Sequence, residues 1–271
     1  VPEMYNTIID DENGDFVNII EYIQRRLWPK YVWKAEVVEF ADYWIPQKRQ
    51  RLITIFTKNA NLINYFNTNK TLLPKKTHSN VISDGLKKYV SLFDAIGSLP
   101  ILDWKNKETA HSKIPYHHVP VLDDKKYFWI SNTPPEKWAF DNQCINVNCL
   151  FQYNRTHSSW KNDSGINQSN KKTPIYCEKC WSLLPRPCVQ DKDGTFRIMS
   201  WFTSAYKRMS WKNSSPTLTT NLSFPSSDNK IHPTQNRVLS LYEAFILHTI
   251  IEYNYLWEKE GKPQGKDWDI W

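Results

Sequence analysis

Four of the five cysteines in this 271-residue chain fall into two pairs, and their spacing limits what the chain can fold into more than any other feature. Cys144 and Cys149 have four residues between them, Cys177 and Cys180 have two, and 27 residues separate the pairs. A Cys-x2-Cys turn brings two thiolates within reach of one ion, and a second pair completes a tetrahedron with Zn–S distances of about 2.3 Å. The pattern therefore predicts a zinc-ribbon-like site, with a first gap wider than usual. Because a four-thiolate site has no open position, the predicted zinc is structural and not catalytic.

Two other states of these cysteines stay open, namely a pair of disulfides and free thiols. Disulfides are disfavoured because residues 1–4 have neither the basic start nor the apolar core of a secretory signal. A metal is favoured because the polar segment at residues 154–173, between the pairs, has too few apolar residues to fold by itself. The fifth cysteine, Cys188, follows Pro187 in a stretch without a glycine turn or a helix start, so we interpret it as a bystander thiol.

The charge of the chain, +7 from 35 basic and 28 acidic residues, is concentrated in its middle. Residues 1–72 hold 9 basic and 9 acidic residues, residues 73–222 hold 21 and 12, and residues 223–271 hold 5 and 7. Such a basic region favours a polyanion as its partner, although a basic surface without any partner would give the same count. No stretch reaches the roughly 18–20 apolar residues of a membrane span. We therefore expect no membrane partner.

The N-terminal part of the chain switches between helical and strand periodicity, which is typical of an α/β fold. Residues 16–27 have apolar side chains at helical spacing before Pro29, and residues 31–38 and 52–56 are the alternating or apolar runs of two strands. Weaker patterns predict further elements: a polar domain boundary at residues 59–78, helices at 81–96 and 238–256, a loop at 154–173, and extended segments at 196–201 and 214–220.

A row of hydrogen-bonding side chains lies directly before the second of these strands. Gln47, Arg49 and Arg51 alternate along the chain, and side chains two residues apart on an extended chain point to the same face. The three can therefore form one cationic row at the end of a strand. Because a guanidinium presents a planar fork of donors, this row suits a phosphate or the edge of a nucleic-acid base. The alternative is an ordinary solvated strand entrance with surface arginines.

Three sets of motifs, taken in order, resemble those of DNA (cytosine-5) methyltransferases. They are Gln-x-Arg-x-Arg at residues 45–51, a basic pair at 206–211 followed by Pro-Thr-aliphatic-Thr at 215–220, and His-Pro at 232–233 followed by residues 237–240 and Glu-Ala at 243–244. Their order and spacing agree with the family over roughly residues 1–256. Val1 and Pro2 resemble the end of its Glu-Asn-Val-Pro motif.

This resemblance implies an α/β fold in which the chain is the remainder of a Rossmann-like methyltransferase domain with an inserted mixed α+β target-recognition domain. The implied parts are the C-terminal half of the catalytic domain at residues 1–72, the recognition domain with the zinc site at 73–222, and a closing segment and helix that return to the catalytic domain at 223–271. In this family double-stranded DNA lies in a cleft between the lobes, and a cysteine attacks the 6-carbon of a cytosine rotated out of the duplex. The methyl group then passes from S-adenosylmethionine to the 5-carbon.

Carried over residue by residue, the resemblance gives the arginine row a role at the target base. Arg49 and Arg51 would face the flipped cytosine and its sugar-phosphate, with Arg51 in contact with the base, and Gln47 would support their loop. In the recognition domain, the resemblance implies DNA binding by four residues of the second set of motifs: Lys207, Arg208, Thr217 and Thr219. The two threonines, together with Pro216, would organise this domain more than take part in the chemistry.

Several motifs of the family have no counterpart in this chain. Its Pro-Cys nucleophile, its Phe-x-Gly-x-Gly cofactor loop and the Glu of Glu-Asn-Val are expected before Val1, and its Gly-Asn-x-Val-Pro-Pro motif after Trp271. The pair Pro187-Cys188 lacks the preceding glycines of the nucleophile motif. We therefore expect this chain by itself neither to bind S-adenosylmethionine nor to methylate. It would act with an N-terminal methyltransferase half, as a fragment or a subunit of a prokaryotic, nucleoid-associated restriction-modification enzyme. The alternatives are a non-enzymatic zinc-containing module that binds DNA or RNA, and a protein-interaction module.

Overall fold

The computed structural model describes residues 6–81, 85–103, 105, 113–170, 172–199, 205–227, 229–252, 258–259 and 262–263. The chain divides into two compact units, Val1–Val90 and Ser91–Trp271. The first unit extends beyond residue 72, where the sequence analysis placed the domain boundary, and the closing segment at 223–271 shares the second unit with residues 91–222. The motif fragment at residues 1–2 and the end of the segment predicted at 196–201 lie outside the described residues.

The first unit begins with a short hairpin that leads into a helix. Strand β1 (Ile8–Asp10) pairs antiparallel with β2 (Phe16–Asn18), and helix α1 (Ile19–Leu27) follows at once. The side chain of Asn18 accepts hydrogen bonds from two amides of the first helical turn and so caps the helix. The helix predicted at residues 16–27 is therefore confirmed from residue 19 onward and wrong for its first three residues, which form β2.

The longest strands of the described chain form the hairpin that carries the arginine row. Strand β3 (Val32–Glu39) pairs antiparallel with β4 (Gln50–Thr57) along its whole length. This pairing confirms the strands predicted at residues 31–38 and 52–56. A 3-10 turn at Phe40–Tyr43 leaves the end of β3, and the row lies where the chain returns to begin β4.

The polar boundary predicted at residues 59–78 is wrong for the first half of that segment. Helix α2 (Ala60–Asn69) occupies it, with Asn59 as its N-cap and Lys70 as a left-handed C-cap at φ 58°. The Asn59 side chain accepts hydrogen bonds from two amides of the first turn. The helix therefore depends on its caps, because its side chains alternate between apolar and polar without a strong stripe.

The long helix predicted at residues 81–96 is also wrong for most of its length. Strand β6 (Lys87–Lys88) pairs in parallel with β5 (His78–Ser79). Helix α3 (Leu92–Ile96) is the only described helix in this stretch and begins at a capping box formed by Ser91 and Asp94. A polar cap at residue 91, and not the apolar spacing before it, decides where this helix begins.

Two large apolar cores lie in the described part of the second unit, beside the small one of the cysteine pairs. One surrounds helix α4 (Asp124–Ser131) and includes the fully buried Ile130 and Phe140. The other lies where α3 packs against helix α5 (Leu241–Leu247) and includes the fully buried Leu92. Among the described residues, no helix has the length and apolar character that crossing a membrane requires.

Helix α5 is shorter than the helix predicted at residues 238–256. It begins after Ser240, which forms a capping box with Glu243, and it ends at His248, before Thr249 adopts a left-handed backbone at φ 56°. The prediction is therefore wrong outside α5 for residues up to 252, and residues 253–256 lie outside the described chain. A return of this segment to the catalytic domain stays a prediction.

The other strands of the second unit are short hairpins. They are β7 (Ser159–Lys161) with β8 (Asn167–Ser169), β9 (Cys188–Gln190) with β10 (Phe196–Ile198), and β11 (Glu258–Lys259) with β12 (Lys262–Pro263). The loop predicted at 154–173 thus contains a hairpin, the segment predicted from residue 196 contains β10, and residues 214–220 form no strand longer than a single bridge. Every sheet in the described residues has two strands, so the fold is mixed α/β with small sheets.

Candidate functional site

One carboxylate fixes the loop of the arginine row to the end of β3. Glu39 Oε1 accepts a hydrogen bond from the backbone amide of Arg49 at 2.6 Å and a longer one from the amide of Ala41 at 3.4 Å. The carbonyl of Arg49 accepts in turn from the amide of Phe40 at 3.0 Å. These bonds close the connection between the strands and hold the row through the backbone of Arg49.

Gln47 and Arg49 lie just before β4, and Arg51 is its second residue. Gln47 is buried, whereas Arg49 and Arg51 are both partly exposed. Burial, and secondly the neighbouring charge of Arg51, lower the pKa of Arg49. The Nη1 of Arg51 donates to the carbonyl of Gln50 at 2.7 Å. Two guanidiniums that repel each other create a local positive potential that suits an anion, and their contact with a base stays a prediction.

The four cysteine sulfurs of the two pairs all lie within 4.8 Å of one another. Cys144 Sγ is 3.6 Å from Cys180 Sγ, and Cys149 Sγ is 3.9 Å from Cys177 Sγ. A tetrahedral ion with Zn–S bonds of about 2.3 Å would set sulfur–sulfur distances of about 3.8 Å, whereas a disulfide requires about 2.05 Å. The arrangement therefore fits four ligands around one ion and does not fit two disulfides.

Each cysteine pair lies on a knuckle of the same design. The residue after the second cysteine has a left-handed backbone, with φ 47° at Leu150 and 60° at Trp181. Its amide donates to the carbonyl four residues earlier, that of Asn146 for Leu150 and that of Cys177 for Trp181, at 2.9 Å in both cases. The wide first gap is therefore closed by the same turn as the narrow second one, which spacing alone does not reveal.

Polar neighbours of Cys180 favour its thiolate form, which is the form that binds a metal. Asn146 Nδ2 donates to Ser182 Oγ at 2.9 Å and lies 3.8 Å from Cys180 Sγ, so it joins the two knuckles. Hydrogen bonds from the side chain and backbone of Ser182 lower the pKa of Cys180 to about 6. Burial raises the pKa of Cys149 to about 12.

Arg208 is buried in the interior, whereas the family resemblance implies that it contacts DNA. Its side chain is 3% exposed, and burial lowers its pKa to about 10. Its guanidinium donates to the carbonyls of Ile130 (2.9 Å), Thr133 (2.7 Å), His232 (2.8 Å) and Gln235 (2.6 Å) and to Asn236 Oδ1 (2.5 Å). An arginine has five N–H groups, and these five acceptors match them. This placement argues against direct DNA contact, because Arg208 joins the end of α4 to the segment at residues 232–236.

The other predicted DNA-binding residues of the second unit lie nearer the surface. Lys207 and Thr217 are partly exposed. Thr219 is exposed, and its Oγ1 accepts a hydrogen bond at 2.6 Å from Nζ of Lys230, a fully buried lysine. Sequence reasoning missed Lys230, because a lysine in a polar stretch is ordinarily solvated. DNA contact by these three residues stays a prediction, and Thr219 also satisfies a buried charge.

The third set of motifs forms a buried polar network. Arg237 and Glu243 make a two-fold ion pair at 2.7 and 2.8 Å, and both side chains are buried. Glu243 completes the cap of α5 with Ser240, whose Oγ lies 2.9 Å from His117 Nδ1. His232 Nδ1 accepts from two backbone amides. These residues therefore hold the interior of the second unit together with the buried His117.

A model of the C-5 cytosine-specific DNA methylase family matches residues 8–262, and the chain belongs to this family. One relative is the type II methyltransferase M1.HgaI of Avibacterium volantium, which is 23% identical over 271 residues. The match covers 96% of this chain and 56% of the relative, so the chain spans about half the length of that protein. The resemblance inferred from the three sets of motifs is thereby confirmed.

Proposed function

We propose that this chain is the DNA-recognition part of a DNA (cytosine-5) methyltransferase. It binds double-stranded DNA and a target cytosine that has been rotated out of the helix. Membership of the methylase family supports this proposal, and the observation that carries it is the arginine row. Two neighbouring, partly exposed guanidiniums, Arg49 and Arg51, lie where the chain enters β4, and Glu39 bonds to the backbone amide of Arg49 at this point.

The arginine row holds the target nucleotide in this proposal. Arg51 contacts the edge of the cytosine, Arg49 contacts its sugar-phosphate, and the buried Gln47 supports the loop. The base has to leave the duplex because its reacting face is covered by stacking. S-adenosylmethionine would supply the methyl group. The residues of this chain hold the cytosine, while the Pro-Cys nucleophile and the cofactor loop belong to an N-terminal methyltransferase half, in the same polypeptide or in a separate subunit.

The two units have different roles in this proposal. The first unit is the C-terminal half of a Rossmann-like catalytic domain, and the second contains the target-recognition domain and the closing segment. The relative with a type II name supports a restriction-modification system. Acting on chromosomal DNA, the enzyme would work in the cytoplasm of a prokaryote, at the nucleoid.

A structural zinc ion in the recognition domain is the second part of the proposal. Its ligands are Cys144, Cys149, Cys177 and Cys180, whose sulfur positions fit a tetrahedron. All four positions are taken by protein, so the ion has no role in the chemistry. It holds the two knuckles together where few apolar side chains could do so.

The arginine row is tested by binding to duplexes that differ in how easily a cytosine leaves the helix. A mispaired cytosine is easier to extract than a paired one, so the chain should bind a pool of duplexes with single mispaired cytosines more tightly than the paired pool. Arg51→Ala should remove this preference, a loss of about 1–3 kcal/mol or roughly 5- to 150-fold in affinity. Arg25→Ala, an exposed arginine of α1, is the matched control and should keep it. Equal behaviour of the two variants in fluorescence anisotropy would refute the role of the row.

A non-enzymatic zinc-containing module that binds nucleic acid is the second candidate function. It is favoured by the cysteine cluster, whose four ligands all lie in this chain and need no methyl transfer. A labelled-methyl assay separates the two candidates. Addition of an N-terminal half that carries the Pro-Cys and cofactor-loop motifs should produce 5-methylcytosine in the first case. In the second case, DNA or RNA binding should occur without any methyl transfer.

A further inference from the structure

An open aromatic cleft lies beside the second cysteine knuckle. Tyr176 and Trp181 line it on the knuckle side and Phe196 of β10 lines it on the other, and its volume is about 560 Å³. Trp181 is 77% exposed, although a tryptophan usually buries most of its large ring. The flat face of an indole is therefore presented to solvent next to two further rings.

Three cations stand along the same cleft: Arg155, Lys172 and Arg197. Arg155 Nε donates to Glu178 Oε1 at 2.7 Å, and Arg197 Nε donates to Asp191 Oδ1 at 3.0 Å, while both arginine side chains stay largely exposed. A guanidinium has five N–H groups, so one carboxylate orients it without using all of its donors. Exposed pairs of this kind contribute about 0–1 kcal/mol, so a phosphate can compete for these arginines.

The positive charge of the second unit is concentrated in the segment that contains this cleft. Residues 142–199, named here the cysteine lobe, contain 8 basic and 4 acidic residues, and one of the eight basic residues, Arg186, is fully buried. The rest of the second unit, residues 91–141 and 200–271, contains 14 basic and 14 acidic residues. The lobe that contains the cleft therefore carries the whole excess of positive charge in this unit, and that excess is complementary to a polyanion.

The backbone of the knuckle fixes the position of the exposed ring. Trp181 follows Cys180 directly, and its amide donates to the carbonyl of Cys177 at 2.9 Å. Its left-handed φ of 60° is unusual for a bulky residue. The ring is thus held outward by the same turn that positions two of the cysteine sulfurs.

We propose that this cleft binds one unstacked nucleotide of a DNA strand, with the base on Trp181 and the adjoining phosphates on Arg155, Lys172 and Arg197. This inference rests on the proposed function for its choice of DNA as the polymer. In a paired duplex the faces of the bases are covered by their neighbours, so an aromatic wall gains a contact only where a nucleotide leaves the stack. Stacking of a base on an aromatic side chain contributes about 1–3 kcal/mol. An acidic peptide would use the cations but would not need the flat ring.

The test compares two labelled duplexes by fluorescence anisotropy, using the full 271-residue chain purified with its metal. One duplex is fully paired, and the other contains a single unpaired thymine, which avoids the cytosine that the arginine row would hold. The chain should bind the bulged duplex about 5- to 150-fold more tightly. Trp181→Ala should bind both duplexes equally, with unchanged affinity for the paired one. Phe224→Ala, another exposed ring of the same unit, should keep the preference.

The cationic side of the cleft is tested in the same assay. Lys172→Ala should weaken binding to both duplexes and lower the slope of log affinity against log salt by about 1. Lys212→Ala makes the same change at an exposed lysine that does not line the cleft, and it should alter neither quantity. The substituted side chains are exposed, so each variant should keep its fold. Unchanged metal content is the check on the fold of the cysteine knuckles.

The outcomes separate this inference from the proposed function. Absence of binding to either duplex would refute the proposed function. Normal binding to the paired duplex without a preference for the bulge, or a preference that Trp181→Ala retains, would overturn only the cleft. Competition by poly-glutamate as effective as that by bulged DNA would also overturn the choice of a nucleotide as the occupant.

Discussion

Loss of the proposed zinc ion should unfold the two cysteine knuckles. Their local core contains three buried side chains, Cys144, Cys177 and Leu184, so the sulfurs themselves form much of it. Structural zinc contributes about 10–16 kcal/mol at pH 7, as much as the whole stability of a typical domain, which is about 5–15 kcal/mol. Without the ion, the knuckles therefore have little to offset the entropy of ordering their polar loops, whereas other parts of the cysteine lobe belong to the core around α4. We expect about one zinc per chain, with four sulfur neighbours at about 2.3 Å in X-ray absorption.

Two treatments test this prediction, a strong chelator and the variant Cys180→Ala, and the variant Cys188→Ala is the control. The first two should remove the metal and loosen the backbone at the exposed Arg155, Lys172 and Lys179, so that trypsin cleaves there about tenfold faster for each 1.4 kcal/mol lost. Cys188→Ala substitutes a buried thiol in β9, outside the cluster, and should keep both the metal and the protease resistance. A chain purified without chelators that contains no zinc, or a lobe that stays protected after complete metal removal, would refute this reasoning.

Two predictions concern the buried groups of the third set of motifs. Arg237→Met leaves the Glu243 carboxylate buried without its partner, so urea denaturation should show a loss of about 3–5 kcal/mol in the free energy of unfolding. The double variant Arg237→Met with Glu243→Leu should lose less, and an equal or larger loss would contradict the ion-pair account. The pKa of His232 lies well below its ordinary value because of burial and then the charges of Arg237 and Arg208. His232 binds a proton more readily in the unfolded chain than in the folded one. Its contribution to stability is therefore present above its unfolded pKa of about 6.5 and is lost as the pH falls toward its pKa in the folded chain. His232→Gln should therefore flatten the dependence of unfolding free energy on pH below about 6.5, and an unchanged slope would exclude this group as its source.

Local patterns predict the β3–β4 hairpin and the cysteine cluster well. The apolar run at residues 52–56 needs only a partner strand to become β4, and the run at 31–38 supplies it. Cysteine spacing constrains a ligand set through covalent geometry, so the four sulfurs converge even though the polar segment between the pairs is irregular. What spacing does not contain is the left-handed turn after each pair, because most residues can adopt it only at an energetic cost.

Helical periodicity misleads where the apolar side chains share no core. In the helix predicted at residues 81–96, Val81 and Phe93 would share one apolar face, yet they are 70% and 61% exposed. Helix α2 is the opposite case, since it has no fully buried side chain and its clearest signal is the cap at Asn59. Short helices of this kind are decided by hydrogen bonds at their ends, which a search for apolar spacing does not detect.

A count of charges in the sequence overestimates the positive charge of the recognition surface, because it treats every cation as exposed. Arg186 and Arg208 contribute to the 21 basic residues of segment 73–222, but both are buried and bonded to backbone carbonyls. Lys230, which belongs to the next segment, is buried as well. Since such cations cannot reach a phosphate, the exposed excess is smaller than the count and is concentrated in the cysteine lobe. Substitution of Arg208 should therefore weaken DNA binding only as far as it destabilises the second unit, whereas substitution of Lys172 should weaken binding in a folded chain.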